Sequence, residues 1–412
     1  MIKTGTTKRG RWWGLGCSLI VVAALGGCKQ PETSGGTGTG STPTGNHPVA
    51  SGAGHAKPYE GSDILLGEYG SLTGTTATFG TSSRDGIKMA VDEANKAGGV
   101  LGKQIRIQLE NDAGSPEQAA TVVKKLINQN NVLAVLGEVA SSRSLAAAPI
   151  CQAAGVPMIS PTSTNPKVTQ IGDYIFRTCF IDPFQGTVNA RFAHKDLKAK
   201  TAAVLTDVKN DYSVGLSKFF IEEFKKLGGE IVKEESYKEG DTDFRAQLSN
   251  IKGGRPDVIF IPGYYTEVGS IAKQADALGM RQPLLGGDGW DSPKLIEIGG
   301  DAVQGTYFST HYAPQSKDPR VVKFVGDFKK RYNKVPDALA AVAYDAARLM
   351  IDAIKRAGST DRAKIRDEIA ATENFPGVTG NITIDKDRNA VKPLVIVQVQ
   401  GDEFVYKTTV KP

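Results

Sequence analysis

DILLGEYGSLTGTTATFGTSSRDGIKMAVDEANKAGG, residues 63–99, contains the change of periodicity that decides the fold. Ile64 to Tyr69 is a short apolar run of the kind that forms a buried strand. Ser82 to Ala97 carries apolar residues at the spacing of an amphipathic helix, and Gly98-Gly99 ends that helix. The stretch therefore predicts a strand and a helix joined by a polar loop that is rich in hydroxyls.

The same alternation repeats in two series along the chain. The first predicts strands at 105–109, 132–136, 158–159 and 174–177, with helices from Pro116 and at 142–154. The second predicts strands at 202–205, 231–237, 258–261, 284–285 and 306–309, with helices at 212–227, 244–251 and 268–278. Helices at 321–332, 338–357 and 362–372 follow, before β segments at 382–384, 394–399 and 404–407. Two consecutive series predict an α/β fold with two doubly wound parallel-sheet lobes.

The charge of the chain argues against nucleic-acid binding. Of 412 residues, 50 are Lys or Arg and 44 are Asp or Glu, which gives a net charge of +6. Four of the basic residues lie within the first eleven, so the rest of the chain is nearly neutral. A protein that binds nucleic acid needs a concentrated basic face, and no basic run with interleaved aromatics is present.

The N-terminus predicts export and a lipid anchor. Residues 1–27 combine basic residues with an apolar run, Leu15 to Leu25, which favours a signal peptide and is too short to favour a spanning helix. Leu25-Gly26-Gly27-Cys28 resembles the lipobox of bacterial lipoproteins, in which the cysteine is acylated. The alternative is that Cys28 is an ordinary signal-peptide residue. Residues 28–60 are Gly- and Thr-rich and predict a flexible, membrane-tethered linker.

Two cysteines remain in the body, Cys151 and Cys179. In an exported protein an even pair favours a disulfide, which would close a loop of about 28 residues. Two buried free thiols are the alternative.

Motifs of enzymes and metal sites are missing from the sequence. There is no GxSxG, HExxH or GxxxxGK[ST]. His194, on a predicted helix, and His311, near a predicted crossover, are expected to be structural rather than catalytic. The segment DKDRN, 385–389, has the start of a calcium-loop pattern, but position six is Ala390 and position twelve is Ile396, so we expect a turn. We therefore expect a protein that is not an enzyme and that holds no metal and no cofactor.

Polar clusters lie where predicted strands end, which is where ligands bind in parallel sheets. Ser141 and Ser142 follow the strand at 132–136, and Thr162 to Thr164 follow the strand at 158–159. Hydroxyls beside the free N–H groups of a helix N-terminus suit a carboxylate. Taken alone, each of these sites is better explained by simple N-capping. Two such sites on neighbouring strands favour anion binding.

The second series has an acid and aromatic residues at its strand ends. Gly263-Tyr264-Tyr265 follows the strand at 258–261, Gly286 to Asp291 follows 284–285, and Tyr212 follows 202–205. An acid among glycines and aromatics suits an ammonium group. Donors for an anion on one lobe and an acid for a cation on the other suit a zwitterion, such as an α-amino acid.

The body resembles the leucine/isoleucine/valine-binding family of ABC-transporter solute-binding proteins, which have the type I periplasmic-binding fold. The motifs that carry the resemblance are GSLTGTTATFG, AVDEANKAGGVLGKQI, NDAGSPEQA, GVPMISPTSTNP, FRTCFIDPFQG, PGYYTEVGSIAKQADALG and GGDGW. The resemblance implies that the protein is a monomer that binds an amino acid with an aliphatic side chain and delivers it to a membrane permease.

The resemblance also implies roles for single residues. Ser141, with Ser142 beside it, would bind the ligand's carboxylate, and Thr162 and Thr164 would contact its head group. Asp288 would be the counter-ion of the ammonium. Three aromatic residues would line or cover the ligand: Phe79, Tyr212 and Tyr264. The family usually has Glu, Ala and Tyr or Trp where this chain has Asp288, Thr162 and Phe79, so the preferred side chain stays open.

The family further implies where the chain passes between lobes, near Asp182, His311 and Gly380. The expected N-terminal lobe comprises 61–182 and 311–380, and the C-terminal lobe 183–310 and 381–412. Closure about this three-strand hinge would bury the ligand. Three other functions fit the sequence less well: a ligand-sensing subunit for a membrane receptor, a binder of an amide or urea on the same fold, and a hydrolase.

Overall fold

The computed structural model describes residues 56–412, so the predicted signal peptide, Cys28 and most of the linker lie outside the described residues. The first lobe has a five-stranded parallel sheet in the order β2-β1-β3-β4-β5. Its strands are β1 (Ile64–Gly70), β2 (Ile105–Asn111), β3 (Ala134–Leu136), β4 (Met158–Ser160) and β5 (Ile175–Arg177). The helices between them are α1 (Ala77–Lys96), α2 (Pro116–Asn128), α3 (Ser141–Ala154) and α4 (Lys167–Gln170).

The second lobe has a seven-stranded sheet in the order β15-β14-β10-β9-β8-β6-β7. Its strands are β6 (Thr201–Asp207), β7 (Glu230–Tyr237), β8 (Val258–Ile261), β9 (Leu284–Gly286), β10 (Tyr307–Thr310), β14 (Leu394–Gln400) and β15 (Glu403–Val410). Its helices are α5 (Asp182–Lys195), α6 (Asp211–Lys226), α7 (Arg245–Gly254), α8 (Tyr265–Ala277) and α9 (Pro293–Gly299). The last two strands join it as an antiparallel hairpin, so this sheet is mixed rather than wholly parallel.

Three helices return to the first lobe after β10. They are α10 (Pro319–Tyr332), α11 (Ala338–Ala357) and α12 (Arg362–Ala370). A small antiparallel sheet follows, with β11 (Phe375–Gly377), β12 (Gly380–Ile384) and β13 (Ala390–Val391). The segment at 385–389 is the turn between β12 and β13, where the Asp385 carboxylate accepts the N–H of Asp387 and of Asn389, both at 2.8 Å.

Two hydrophobic clusters cover the two faces of the first sheet, as a doubly wound lobe requires. One joins the sheet to α1, α10, α11 and α12, and the other joins it to α2 and α3. Ile382, Ile384 and Ala390 belong to the first of these clusters, whereas Leu394 belongs to the core of the second lobe. The third crossing therefore lies at about 392–393, later than the expected position near Gly380.

Helix α1 begins earlier than its apolar spacing predicts, and this start places Phe79. Gly80 makes the early start possible, because a Cβ at that position would lie 2.2 Å from the carbonyl oxygen of Ser71. The tight contact sets the first turn of α1 directly against the loop that follows β1. Phe79 consequently points away from its own lobe and belongs to the hydrophobic core of the second.

Candidate functional site in the cleft between the lobes

Four hydroxyl residues, Ser160, Thr162, Ser163 and Thr164, lie at the end of β4 and in the loop that follows, and two of them hold this loop in place. Ser160 Oγ donates to the carbonyl of Glu138 at 2.7 Å, and Ser163 Oγ lies 3.0 Å from the carbonyls of Glu138 and Val139. Thr162 and Thr164 are equally buried, but their hydroxyls have no partner among the described residues. The loop therefore has two structural hydroxyls and two that are free for a polar ligand.

The serines at the start of α3 take different roles. Ser141 Oγ accepts the N–H of Asn165 at 3.2 Å, so it faces the hydroxyl loop. Ser142 Oγ accepts the N–H of Asp211 at 2.9 Å and donates to the carboxylate of Asp211 at 3.0 Å. Because Asp211 opens α6 in the second lobe, Ser142 links the two lobes. The N-terminus of α3 and Ser141 together present donors to the cleft.

Asp288 lies at the carboxyl end of β9, in the short 3₁₀ turn Asp288–Trp290, and is buried. Its Oδ1 accepts a hydrogen bond from Gln185 Nε2 at 2.8 Å, and its Oδ2 lies 3.1 Å from His311 Nε2. Neither partner was predicted to contribute to the site. Gln185 lies in the FRTCFIDPFQG motif, to which no site residue was assigned, and His311 was predicted to be structural.

Aromatic rings form one wall of the cleft. Tyr212 and Tyr264 are stacked with centroids 5.6 Å apart, and the edge of Phe79 meets Tyr264 at 5.1 Å. The Tyr212 hydroxyl accepts the N–H of Gly289 at 3.2 Å. A Cβ at Gly289 would lie 2.8 Å from the Tyr264 ring, so glycine permits this close approach. Burial raises the pKa of both tyrosines well above its usual range, and their hydroxyls stay protonated.

A cavity of about 10 Å³, the space that one water molecule needs, lies between these groups. Its lining residues are Phe79, Val139, Thr162, Tyr212, Tyr264, Asp288, Gly289 and Leu339. Five of these were predicted as site residues, whereas Ser141, Ser142 and Thr164 lie nearby without lining the cavity. Val139, Gly289 and Leu339 were missed; the two aliphatic residues have no sequence signal, but Gly289 belongs to the GGDGW motif.

The lobes are closed on each other around this cavity. Thr78 Oγ1 lies 2.9 Å from Ser292 Oγ, and Thr266 Oγ1 donates to the Thr75 carbonyl at 2.7 Å. Phe79, Val139 and Leu339 share one continuous hydrophobic core with the second lobe. A group held in the cavity is therefore sheltered from solvent.

A second acid lies close to Asp288. Asp182, at the start of α5, is fully buried, and neither of its carboxylate oxygens accepts a hydrogen bond from the described residues. Burial raises its pKa well above the usual range; the neighbouring Thr164 hydroxyl, which lies outside hydrogen-bonding geometry, opposes this shift, and the charge of Asp288 adds to it. Asp182 was predicted only as the point where the chain changes lobe.

Cys151 and Cys179 are both free and fully buried, so the predicted disulfide is wrong. Cys151 lies on α3 in the hydrophobic cluster between the first sheet and α2. Cys179 follows β5, and its Sγ lies 3.4 Å from the carbonyl of Ser163, close enough for a hydrogen bond. Burial raises the pKa of the Cys179 thiol to about 12, so the thiol stays protonated.

A larger cavity, of about 520 Å³, lies at the amino ends of β9 and β10. Leu197, Ala272, Met280 and Thr306 are among its lining residues. Because parallel sheets bind ligands at the carboxyl ends of their strands, we assign the site to the smaller interlobe cavity. Among residues 56–412 no cluster of His, Cys, Asp or Glu is arranged to hold a metal, and no helix is long and apolar enough to cross a membrane.

Comparison with known proteins gives a consistent result. A family described as periplasmic binding protein matches residues 64–403. The Leu/Ile/Val-binding protein BraC3 of Rhizobium johnstonii is 32% identical over 328 residues, which are 79% of this chain and 88% of that protein.

Solved structures agree in fold. Leucine binding protein LivK of Thermotoga maritima matches with a TM-score of 0.82 and 44% identity, covering 85% of this chain and 99% of its own. LivJ of Streptococcus pneumoniae, in complex with isoleucine, matches with a TM-score of 0.81 and 35% identity, covering 85% and 100%. A solute binding protein of Rhodopseudomonas palustris, in complex with 3,4-dihydroxybenzoic acid, matches with a TM-score of 0.78 and 25% identity, covering 85% of this chain and 98% of its own. The body therefore has the type I periplasmic-binding fold.

Proposed function

The chain belongs to the periplasmic binding protein family, and on that premise we propose that it is the substrate-binding protein of an ABC importer for an α-amino acid. One observation carries the proposal. The buried acid Asp288 and the free hydroxyl of Thr162 line one small, closed cavity with aromatic walls. A buried carboxylate and unpartnered hydroxyls are costly unless a ligand satisfies them, and a zwitterion satisfies both.

The head group is divided between the lobes in this proposal. The N-terminus of α3 and Ser141 bind the carboxylate, because free N–H groups and a hydroxyl suit an anion. Thr162 and Thr164 lie between the two charged groups of the ligand. Asp288 is the counter-ion of the ammonium, and Tyr212 and Tyr264 shield this ion pair from water, which strengthens it.

An aliphatic side chain suits the remaining surface of the cavity. Val139, Leu339 and Phe79 have apolar side chains, so once the lobes part and enlarge this cavity from about 10 Å³, a leucine, isoleucine or valine side chain would bury its surface there without leaving a polar group unpaired. Thr162 adds a hydroxyl to this wall. We therefore include alanine and threonine among the candidate ligands.

Delivery to a membrane permease and anchorage through the acylated Cys28 complete the proposal. The linker at 28–60 would let a monomeric body reach a permease in the same membrane. A sensing subunit would bind the same ligand but pass its closed form to a receptor. Genes for a permease and an ATPase beside this one would favour import, whereas a kinase or chemoreceptor gene would favour sensing.

Calorimetric titration of the protein, after unfolding and refolding to remove carried-over ligand, tests the proposal. The panel is leucine, isoleucine, valine, alanine, threonine, glutamate, phenylalanine, urea and 3,4-dihydroxybenzoate. We expect an aliphatic amino acid to bind, and Asp288→Asn to raise its Kd at least 100-fold, since an ammonium would lose a buried charged partner worth roughly 3 kcal/mol.

Asp301→Asn is the matched control, because Asp301 is an exposed acid of the same lobe. It should leave the Kd unchanged. Binding of 3,4-dihydroxybenzoate or urea without any amino acid would overturn the zwitterion assignment. An amino acid that binds equally well to Asp288→Asn would remove Asp288 from the site.

A further inference from the structure

We propose that His311 is the positioning residue for the Asp288 carboxylate and that it ties this ligand-binding acid to the hinge. The inference rests on the proposed function, because it concerns the acid that would hold the ammonium. It gives His311 a role in ligand affinity, where the sequence suggested only a structural one.

The contacts of Asp288 come from two of the three segments that join the lobes. The Asp288 Oδ1 accepts a hydrogen bond from Gln185, which lies one turn into α5, just after the first crossing between the lobes. The Asp288 Oδ2 faces His311, which directly follows β10 at the second crossing. One hydrogen-bonding group therefore fixes each carboxylate oxygen. With both oxygens fixed, the carboxylate can turn towards a ligand only as the hinge segments allow.

The Gln185 contact is itself anchored on the hinge strand. Gln185 Nε2 lies 2.9 Å from Ser309 Oγ, and Asn189 Nδ2 lies 3.0 Å from the same hydroxyl. Ser309 is in β10, two residues before His311. His311 follows this strand directly and Gln185 is hydrogen-bonded to it, so both groups that hold Asp288 are tied to one short piece of hinge strand.

His311 itself is held rigidly in place. It is fully buried, and its ring stacks on Phe180 with centroids 4.1 Å apart. Nδ1 has no partner among the described residues, whereas Nε2 faces a carboxylate. A proton on Nε2 makes a hydrogen bond to Asp288, so this is the tautomer that the geometry favours.

The net charge of the His311–Asp288 pair also suits a cationic ligand. Burial lowers the pKa of His311, and the buried Lys392 adds to the effect, while Asp288 opposes both. A neutral imidazole orients Asp288 by one hydrogen bond and leaves its full negative charge for an ammonium. An imidazolium at this position would neutralise the acid and compete with the ligand.

Calorimetry on two variants of the full chain tests the positioning role. His311→Leu removes the donor, and we expect it to weaken binding of the preferred amino acid 10- to 100-fold. His311→Gln keeps an N–H donor, and we expect it to restore affinity to within about 5-fold of the wild type. Rescue by glutamine distinguishes positioning from packing, because leucine fills the buried space at least as well.

His194→Gln is the control, because His194 lies at the far end of α5 from Gln185, with its ring beside Phe224. It should leave affinity unchanged. The inference is overturned if His311→Leu binds as tightly as the wild type, or if His311→Gln loses as much affinity as His311→Leu. A wild type that binds no amino acid in the panel overturns the proposed function instead, and removes the premise of this inference with it.

Nitrogen NMR of the ligand-free protein gives a second test that does not depend on ligand binding. We expect the His311 resonances, assigned by their loss in His311→Gln, to show a neutral ring protonated on Nε2 at pH 7. We expect Asp288→Asn to shift the Nε2–H signal. Protonation on Nδ1, or no response to Asp288→Asn, would overturn the pairing.

Discussion

Arg143 of the first lobe and Glu239 of the second form an ion pair across the cleft, with Nη2 3.0 Å from Oε1. The guanidinium is only 2% exposed and also donates to Ser71 Oγ at 2.8 Å and to Thr76 Oγ1 at 2.9 Å. The Glu138 carboxylate lies 3.4 Å away on the same lobe. When the lobes close, the buried Arg143 guanidinium of the first lobe therefore gains a second carboxylate partner, Glu239 of the second lobe.

Glu239→Gln should weaken ligand binding by favouring the open form. The ion pair exists only when the lobes are closed, so its loss lowers the stability of the closed, ligand-holding state. Because the Glu239 side chain is 26% exposed, we expect a moderate cost of about 1–2 kcal/mol, or a Kd roughly 5- to 30-fold higher. Calorimetry measures this directly.

Glu234→Gln, at an exposed position of β7, the strand that precedes Glu239, is the control and should leave the Kd unchanged. A Glu239→Gln variant that binds as tightly as the wild type would mean that the pair contributes nothing to closure.

Arg177→Lys should loosen the hydroxyl loop. Arg177 is fully buried; its Nη2 donates to the Asn165 carbonyl at 2.8 Å, and Nη1 donates to the carbonyl of Ser163. A lysine lacks the planar fork and leaves at least one of these carbonyls unpaired. We expect the free energy of unfolding to fall by ~2–3 kcal/mol in urea titrations, and ligand affinity to fall with it.

Arg106→Lys is the matched control, because Arg106 pairs with Asp63 on the surface with 72% of its side chain exposed. It should change the free energy of unfolding by less than ~0.5 kcal/mol. Equal effects of the two substitutions would show that Arg177 does not hold the loop.

The strand and helix pattern could be predicted because a strand that is buried on both faces of a sheet is a continuous apolar run in the sequence. Apolar runs such as 258–261 coincide with β8, and the polar residues after them lie at the carboxyl edges of the sheets. Two features needed the tertiary structure. The early start of α1 depends on Gly80 approaching Ser71, and β14 and β15 join the second sheet only because the chain crosses at about 392–393.

Five of the eight residues that line the cavity could be predicted and three could not, for a physical reason. Asp288, Tyr264 and Thr162 follow strands, so the strand-end rule finds them. Leu339 and His311 reach the cleft through helix α11 and a hinge crossing, and sequence spacing does not encode lobe closure. The cysteine prediction failed similarly, since an even count carries no information about distance in space.

Both body thiols should react once the protein is unfolded without reductant. Cys151 and Cys179 are free and fully buried, so we expect no alkylation of either in the native protein. In denaturant alone, mass spectrometry should find iodoacetamide on both peptides. A disulfide-linked peptide joining the two positions would contradict this, as would a fall in melting temperature on adding reductant to the wild type.

Glu68→Gln should stabilise the protein at alkaline pH. Glu68 is buried in β1, and burial raises its pKa from 4.5 to about 8, with Arg84 opposing the shift. The folded protein keeps this proton up to about pH 8, while the unfolded chain releases it near 4.5. The folded state therefore binds more protons within that window, so the wild type loses stability as pH rises through it.

Glutamine cannot ionise, so the Glu68→Gln variant does not lose this stability as the pH rises. We expect its free energy of unfolding to exceed that of the wild type by ~2–4 kcal/mol at pH 9, and the difference to vanish near pH 4. Urea titrations at several pH values measure the difference. The exposed Glu60→Gln is the control and should show no such trend. A difference that stays constant with pH would mean that packing, and not the buried charge, separates Glu68→Gln from the wild type.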